Sequence, residues 1–159
     1  MNEHEKFMRM ALGRARTAAK HGETPVGCVI VRDGKVVSGG RNRREHGKNA
    51  LYHAEISAIG SACKKLGGWR LFDCDLYVTL EPCPMCAGAI INSRIKNVYF
   101  GAYDKKAGSF GSVVNFTELS YNHKPNVVGG VLEYECSNIL SEFFKQLRDN
   151  KKKIKTAEQ

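Results

Sequence analysis

Two apolar runs, Leu76–Leu80 and Asn97–Ala102, flank the segment Pro82-Cys83-Pro84-Met85-Cys86-Ala87-Gly88-Ala89-Ile90-Ile91, and that arrangement leaves the chain few choices. Proline fits the first turn of a helix and not its interior, so Pro84 sets a helix start and Pro84–Ser93 reads as helical. A strand, a helix and a second strand in such close succession form a crossover unit, with the strands parallel and the crossover right-handed. Parallel strands require cover on both faces, so the expectation is a layered α/β domain.

The remaining elements extend that unit. Glu3–His21 carries Phe7, Met8, Ala11, Leu12, Ala15, Ala18 and Ala19 at helical spacing and stops at Gly22. Val26–Val31 and Lys35–Gly39 are β-branched runs joined by Asp33-Gly34, a two-residue hairpin signal of the I′ type. Residues 41–52 read as a loop, and His53–Leu66 reads as a second helix ending at Gly67-Gly68. Residues 103–126 show little regularity, Val127–Leu132 is expected as a last strand, and Glu133–Lys152 as a terminal helix with Ile139, Leu140, Phe143, Phe144 and Leu147 on its apolar stripe. The order predicts a mixed five-stranded sheet between helical layers, formed by one domain over residues 1–152 and followed by a basic tail over residues 153–159.

With 159 residues, the chain is long enough to bury roughly 70% of its unfolded surface in one core. The longest run free of charged residues is the 12-residue stretch Pro82–Ser93, well short of the ~20 that a membrane-spanning helix needs. Met1–Lys6 lacks the basic-then-apolar order of a secretory signal, so the expected location is cytoplasmic. In that setting six cysteines do not imply disulfides, and Cys28, Cys63, Cys74 and Cys136, scattered in apolar segments, read as small buried hydrophobes. The net charge is +9, concentrated at residues 145–155, where six cations face only Asp149; Arg41, Arg43 and Arg44 form a second basic cluster. A basic helix end is either solvated or placed against nucleic acid.

Chemistry concentrates at His53-Ala54-Glu55 and at Cys83 and Cys86, each at a predicted helix start. His53, Cys83 and Cys86 supply the three protein ligands of a catalytic zinc, whose fourth position stays open to water. The helix start lowers thiolate pKa values, and Cys83 at the cap with Cys86 in the first turn lets both sulfurs face one ion. His53 and Glu55 converge only if their helix begins near His53, because residues two apart do not share a helical face. Zinc brings the pKa of a water molecule toward neutrality, and hydrolysis then needs a group to move the proton; Glu55 is the candidate. A closed structural zinc site would need a fourth ligand, and His4, His21, His46 and His123 stand at no motif spacing. A thioredoxin-like pair would leave His53-Ala54-Glu55 without a role.

Histidine-x-Glu followed by Pro-Cys-x-x-Cys is the signature of zinc nucleobase deaminases. With Pro25-Val26-Gly27, Asn42-Arg43, Trp69-Arg70-Leu71, the run Leu76–Ala89, Ser93-Arg94-Ile95, Phe100-Gly101-Ala102, Asn122-His123 and Gly129–Leu132, the chain resembles the cytidine deaminase superfamily over nearly its whole length. Within that superfamily it is similar to the tRNA adenosine deaminases. The resemblance implies a three-layer α/β/α fold, one zinc per subunit on His53, Cys83 and Cys86, proton transfer by Glu55, a homodimer, and conversion of a wobble adenosine to inosine in an arginine tRNA anticodon loop. It implies that Asn42, Val26 and the Ala54 backbone contact the flipped base, and that Arg70, Asp104, Lys106, Phe144 and Arg148 meet the RNA. Two stretches beside the pocket depart from the family pattern: Asn49-Ala50-Leu51-Tyr52, where many relatives have Asp-Pro-Thr-Ala, and residues 108–115. Both bear on base and tRNA preference.

Two other readings compete. A deaminase of free guanine, cytosine or cytidine would share the zinc motif, close its pocket with the C-terminal segment and have no use for a basic tail. A non-catalytic RNA-binding subunit would have no need of Glu55 beside the metal.

Overall fold

Asp33 and Gly34 both take positive φ values, 51° and 73°, the geometry a type I′ hairpin requires, and they join β1 (Gly27–Arg32) to β2 (Lys35–Arg41). In the computed structural model, which describes residues 1–158, this hairpin follows helix α1 (Glu3–Lys20) and precedes α2 (Ala54–Leu66). Next come β3 (Cys74–Leu80), α3 (Pro84–Asn92) and β4 (Asn97–Ala102), with β3 and β4 parallel as the crossover unit predicts. The sheet has the order β2-β1-β3-β4-β5, antiparallel on the hairpin side and parallel on the other.

Alternation along the strands builds two cores. Cys28, Ile30, Leu76, Val78, Val98 and Phe100 face Ala54, Ala58 and Ala62 of α2 and Ala87 and Ile90 of α3. Val29, Val31, Tyr77 and Ala102 face Phe7, Met8, Ala11 and Leu12 of α1 and, on the terminal helix, Cys136. All six cysteines are free; Cys28, Cys74 and Cys136 are buried as expected, while Cys63 is only half-buried.

The alanines of α2 let it lie close to the sheet, and Gly40 of β2 completes that fit: a Cβ there would collide with the Ala54 carbonyl and the Ala58 amide. Gly40→Ala is therefore expected to lower the unfolding free energy by about 1–3 kcal/mol, read from urea unfolding, because α2 must shift to admit the methyl group. An unchanged midpoint would mean that α2 is not held at this distance.

Several boundaries differ from the sequence expectation: β2 runs on to Arg41 rather than ending at Gly39, β3 begins at Cys74 rather than Leu76, and the two largest differences lie toward the C-terminus. The last strand, β5, is Asn126–Val128 rather than Val127–Leu132. The Phe100 ring and the Tyr103 hydroxyl occupy the space a side chain at position 129 would need, Gly130 turns to a φ of 86°, and Leu132 turns to 51°, so extended pairing stops. The terminal helix α4 covers Glu133–Ala157, running past Lys152 because its lysines favour helix as readily as its apolar stripe does. Of the stretch read as a tail, Gln159 lies outside the described residues. No described helix is long and apolar enough to cross a membrane.

Candidate active site

Two helix starts meet at the C-terminal end of β3. His53 is the N-cap of α2 and Cys83 the N-cap of α3, both with extended backbone and neither donating or accepting a side-chain cap bond, so both side chains are free to turn toward each other. Pro84 follows Cys83 at the first helical position, and Cys86 lies buried in the first turn. The His53 Nδ1 atom lies 3.6 Å from the sulfur of Cys83 and 3.6 Å from that of Cys86. All three donor atoms fall within 4.8 Å of one another. A tetrahedral zinc with ~2.3 Å bonds to sulfur and ~2.0 Å to nitrogen spaces those atoms by about 3.6 Å, so the donor set fits zinc in identity, number and separation.

The three donors perturb one another strongly. The neighbouring Cys86 thiol, with His53 adding to the effect, draws Cys83 down to about 4. The same contact, with burial, drives Cys86 far upward. The hydrogen bond to Cys83 raises His53 against its partial burial. A divalent ion would bind both sulfurs as thiolates, displacing their protons.

Glu55, in the first turn of α2, is 4% exposed and lines the same cavity as His53 and Cys83 without joining the three-donor set. Burial pushes its carboxyl up to about 7, helped by the Cys83 sulfur and opposed by its backbone amide, His53 and Cys86. The cavity measures about 200 Å3, below the ~300–1,000 Å3 usual for drug-sized ligands, so it takes one heterocycle rather than a whole nucleotide. Its walls include Val26, Asn42, Ala54, Leu80, Asp104 and Ala107, and among the described residues none beyond Ala107 lines it.

Asn42 is buried, and its amide is oriented by its neighbours: Nδ2 donates to the Thr24 carbonyl at 3.2 Å and Oδ1 accepts the Arg44 amide at 3.1 Å. A primary amide has two donors and two lone pairs, so one of each remains for a base edge. Asp104 lines the cavity and accepts the Lys106 and Ala107 amides at 3.0 and 3.3 Å, placing Lys106 on the exposed outside of that turn. Arg70, Phe144 and Arg148 are exposed but do not line the cavity. Arg70 stacks over Trp69 at 4.1 Å, and Phe143, not Phe144, faces the groove between α1 and α4.

Two carboxylates that sequence reasoning missed hold the loops beside the cavity. Glu81 is 2% exposed and accepts the amides of Asp104, Phe110 and Ser112 at 3.1–3.2 Å and the Ser112 hydroxyl at 2.5 Å. Glu23 is 1% exposed and accepts the Glu45 and His46 amides at 3.0 and 2.9 Å, together with the His46 ring. Burial raises the Glu23 pKa, but these donors outweigh it and hold the carboxyl below its ordinary value. The available signal was an acid at the edge of an apolar segment, directly before Pro82-Cys83 in one case. Glu81→Gln sets an amide N–H against groups that are all donors, and a loss of about 2–3 kcal/mol in urea unfolding is expected. Equal stability would show that other interactions hold residues 104–112.

Comparison with known proteins adds to this geometry. Residues 1–102 match the family described as the cytidine and deoxycytidylate deaminase zinc-binding region. The tRNA-specific adenosine deaminase of Bacillus subtilis is 47% identical over 153 residues, covering 96% of this chain and 95% of the relative. A solved structure from work on A-to-I editing by tRNA:A34 deaminases at the wobble position is 45% identical with a TM-score of 0.83, covering 85% of this chain and 99% of that one. The guanine deaminase of Bacillus subtilis is 33% identical with a TM-score of 0.61, covering 77% of this chain and 88% of that one.

Proposed function

The chain belongs to the cytidine and deoxycytidylate deaminase family, and from that premise we propose that it converts the wobble adenosine of a tRNA anticodon loop, in an arginine tRNA, to inosine. The observation that carries the deamination is Glu55, a buried carboxylate on the wall it shares with His53 and Cys83 but outside the donor set, as a proton carrier must be, and the near-full-length similarity to tRNA-specific adenosine deaminases supports the substrate.

His53, Cys83 and Cys86 hold one zinc per subunit. When bound, zinc supplies Lewis acidity that brings a water molecule's pKa toward neutrality. Val26 and Leu80 give the base an apolar wall, Asn42 offers its free N–H and lone pair to the purine edge, and the Ala54 amide at the helix start faces the base. Glu55 takes a proton from the attacking water and delivers it to N1 of the ring, which makes C6 electrophilic. After oxygen bonds to C6, the carboxylate, free again, takes the remaining proton from that oxygen and hands it to the exocyclic nitrogen as the C6–N6 bond breaks and the C6 carbonyl forms. The balance is adenosine plus water to inosine plus ammonia.

A base reaches such a pocket only when flipped or single-stranded, and the cavity has no wall from α4 to exclude the rest of a loop. Asp104 and Lys106 at the rim, with Arg70, Phe144, Arg148 and the lysines of α4, are the further RNA-binding groups. A tRNA substrate implies a cytoplasmic location. The outer faces of α2 and α3 present Ile56, Met85 and Ala89 beside exposed Leu51, Trp69 and Tyr121, which supports a homodimer through that surface; a monomer in sedimentation velocity would count against it.

The deciding experiment incubates the zinc-loaded protein with an arginine tRNA anticodon stem-loop bearing a wobble adenosine, beside guanine, cytosine, cytidine and adenosine. Inosine in the stem-loop alone is expected, read by nucleoside digestion and mass spectrometry. Ammonia from a free base with the stem-loop untouched would retain the zinc chemistry and transfer the substrate to the class of the guanine deaminase relative.

A further inference from the structure

Arg41, Arg43 and Arg44 stand in a basic cluster to which the reaction above gives no role. Arg41 ends β2 opposite Gly27, and the next amide, that of Asn42, donates to the Val26 carbonyl at 3.1 Å, so the chain stays extended through the first loop residues. Successive side chains of an extended segment point to opposite sides. Asn42 accordingly enters the base cavity, while Arg41 and Arg43 line a second cavity of about 300 Å3 behind it, with His21, Glu23, His46 and Gly47. Arg44 lies on the rim of the first.

The second cavity is cationic and its guanidinium groups lack acidic partners. Its one acid, Glu23, is buried and already accepts two backbone amides and the His46 ring. Among the described residues the ion pairs are His46 with Glu23 and Lys96 with Asp73, so neither Arg41 nor Arg43 has a carboxylate within reach. The wall is also preformed. Arg43 is held over the Tyr52 ring at 5.1 Å, its amide donates to the Tyr52 carbonyl at 3.1 Å, and the Gly47 amide closes the turn on the Arg43 carbonyl at 2.8 Å. Gly47 carries no side chain because the Tyr52 ring fills that space.

We propose that this second cavity is a subsite for a backbone phosphate of the RNA strand flanking the flipped base, with Arg41 and Arg43 as its donors. Guanidinium groups present paired donors that match phosphate oxygens, and Arg41 and Arg43 flank Asn42 on the opposite side of the segment, so the phosphate they meet belongs to a flanking nucleotide rather than to the one whose base Asn42 reads. A free base has no phosphate to offer, so the subsite favours a polynucleotide substrate through binding. The inference rests on the RNA reading given above.

The test measures stem-loop affinity and its salt dependence for the zinc-loaded protein, wild type against Arg41→Gln/Arg43→Gln. The double variant is expected to bind about 10- to 100-fold more weakly, with kcat little changed and zinc content intact. Its slope of log affinity against log salt should fall by ~0.7 for each phosphate that the arginines no longer neutralise. Arg41→Lys/Arg43→Lys should restore the slope. Stem-loops with one neutral methylphosphonate at successive positions around the wobble nucleotide supply an arm that leaves the protein untouched. One position should weaken wild-type binding and add nothing to the loss in the glutamine variant. Wild-type binding that ignores every neutral linkage, or a glutamine variant with wild-type affinity and slope, overturns the subsite while the RNA reading stands. A wild type that neither binds nor edits the stem-loop overturns both.

Discussion

Glu55→Gln is expected to lower the rate of inosine formation by roughly 10²–10⁴-fold while leaving zinc at one per subunit. The amide matches the carboxylate in shape, so the cavity keeps its form, but it cannot accept the water proton or return it to the ring and the leaving nitrogen. Glu55 lies outside the set of His53, Cys83 and Cys86, which is why metal content and turnover separate in this variant. The pair of measurements is zinc per chain and initial rate on the stem-loop. Near-wild-type turnover would remove Glu55 from the chemistry; lost zinc would make it a ligand.

Cys86→Ala should act on both quantities together. Cys86 is fully buried, and its sulfur stands 3.6 Å from the His53 Nδ1 atom, so its loss leaves two donors for an ion that needs three protein ligands. Zinc is expected to fall to near zero with activity below detection, and added zinc should restore chelator-treated wild type but not the variant. Thermal stability should fall as well, because the ion joins the start of α2 to the start of α3, with each kcal/mol lost lowering the midpoint by ~2–4 °C in a chain of this size. A full zinc complement in Cys86→Ala would sink the ligand assignment.

The parts of the fold that sequence reasoning reached are those governed by local rules. Asp33-Gly34 is a turn whatever surrounds it, Pro84 starts a helix, and Gly67 ends one in the left-handed region at a φ of 75°. The convergence of His53 with the two cysteines was legible in part: Pro84 marks Cys83 as a cap and puts Cys86 in the first turn, whereas Leu51-Tyr52 leave the start at His53 unmarked, and the fold supplies it. The extent of β5 was not legible, because the ring of Phe100 and the hydroxyl of Tyr103 end it, and both lie a long way back in the chain. Glu81 and Glu23 were missed because a carboxylate that accepts backbone amides leaves no periodic trace; only the folded loops show what it holds. Arg44 was read as charge, and its place on the cavity rim depends on a two-residue turn closed by Asn42.

The two margins of the sheet bear on how this protein behaves when concentrated. A strand with an open side is a template for pairing with another chain, and long flat margins lead to aggregation. Here β5 offers three residues before Gly129-Gly130 divert the chain, too little for a foreign strand to register against. At the opposite margin the pairing of β2 with β1 shifts register between Ile30 and Val31, and such an irregularity increases local twist and spoils a flat template. Lys35 and Arg41 stand at the ends of that strand, so an approaching copy meets like charge there. Self-association by strand addition is thus disfavoured at both margins.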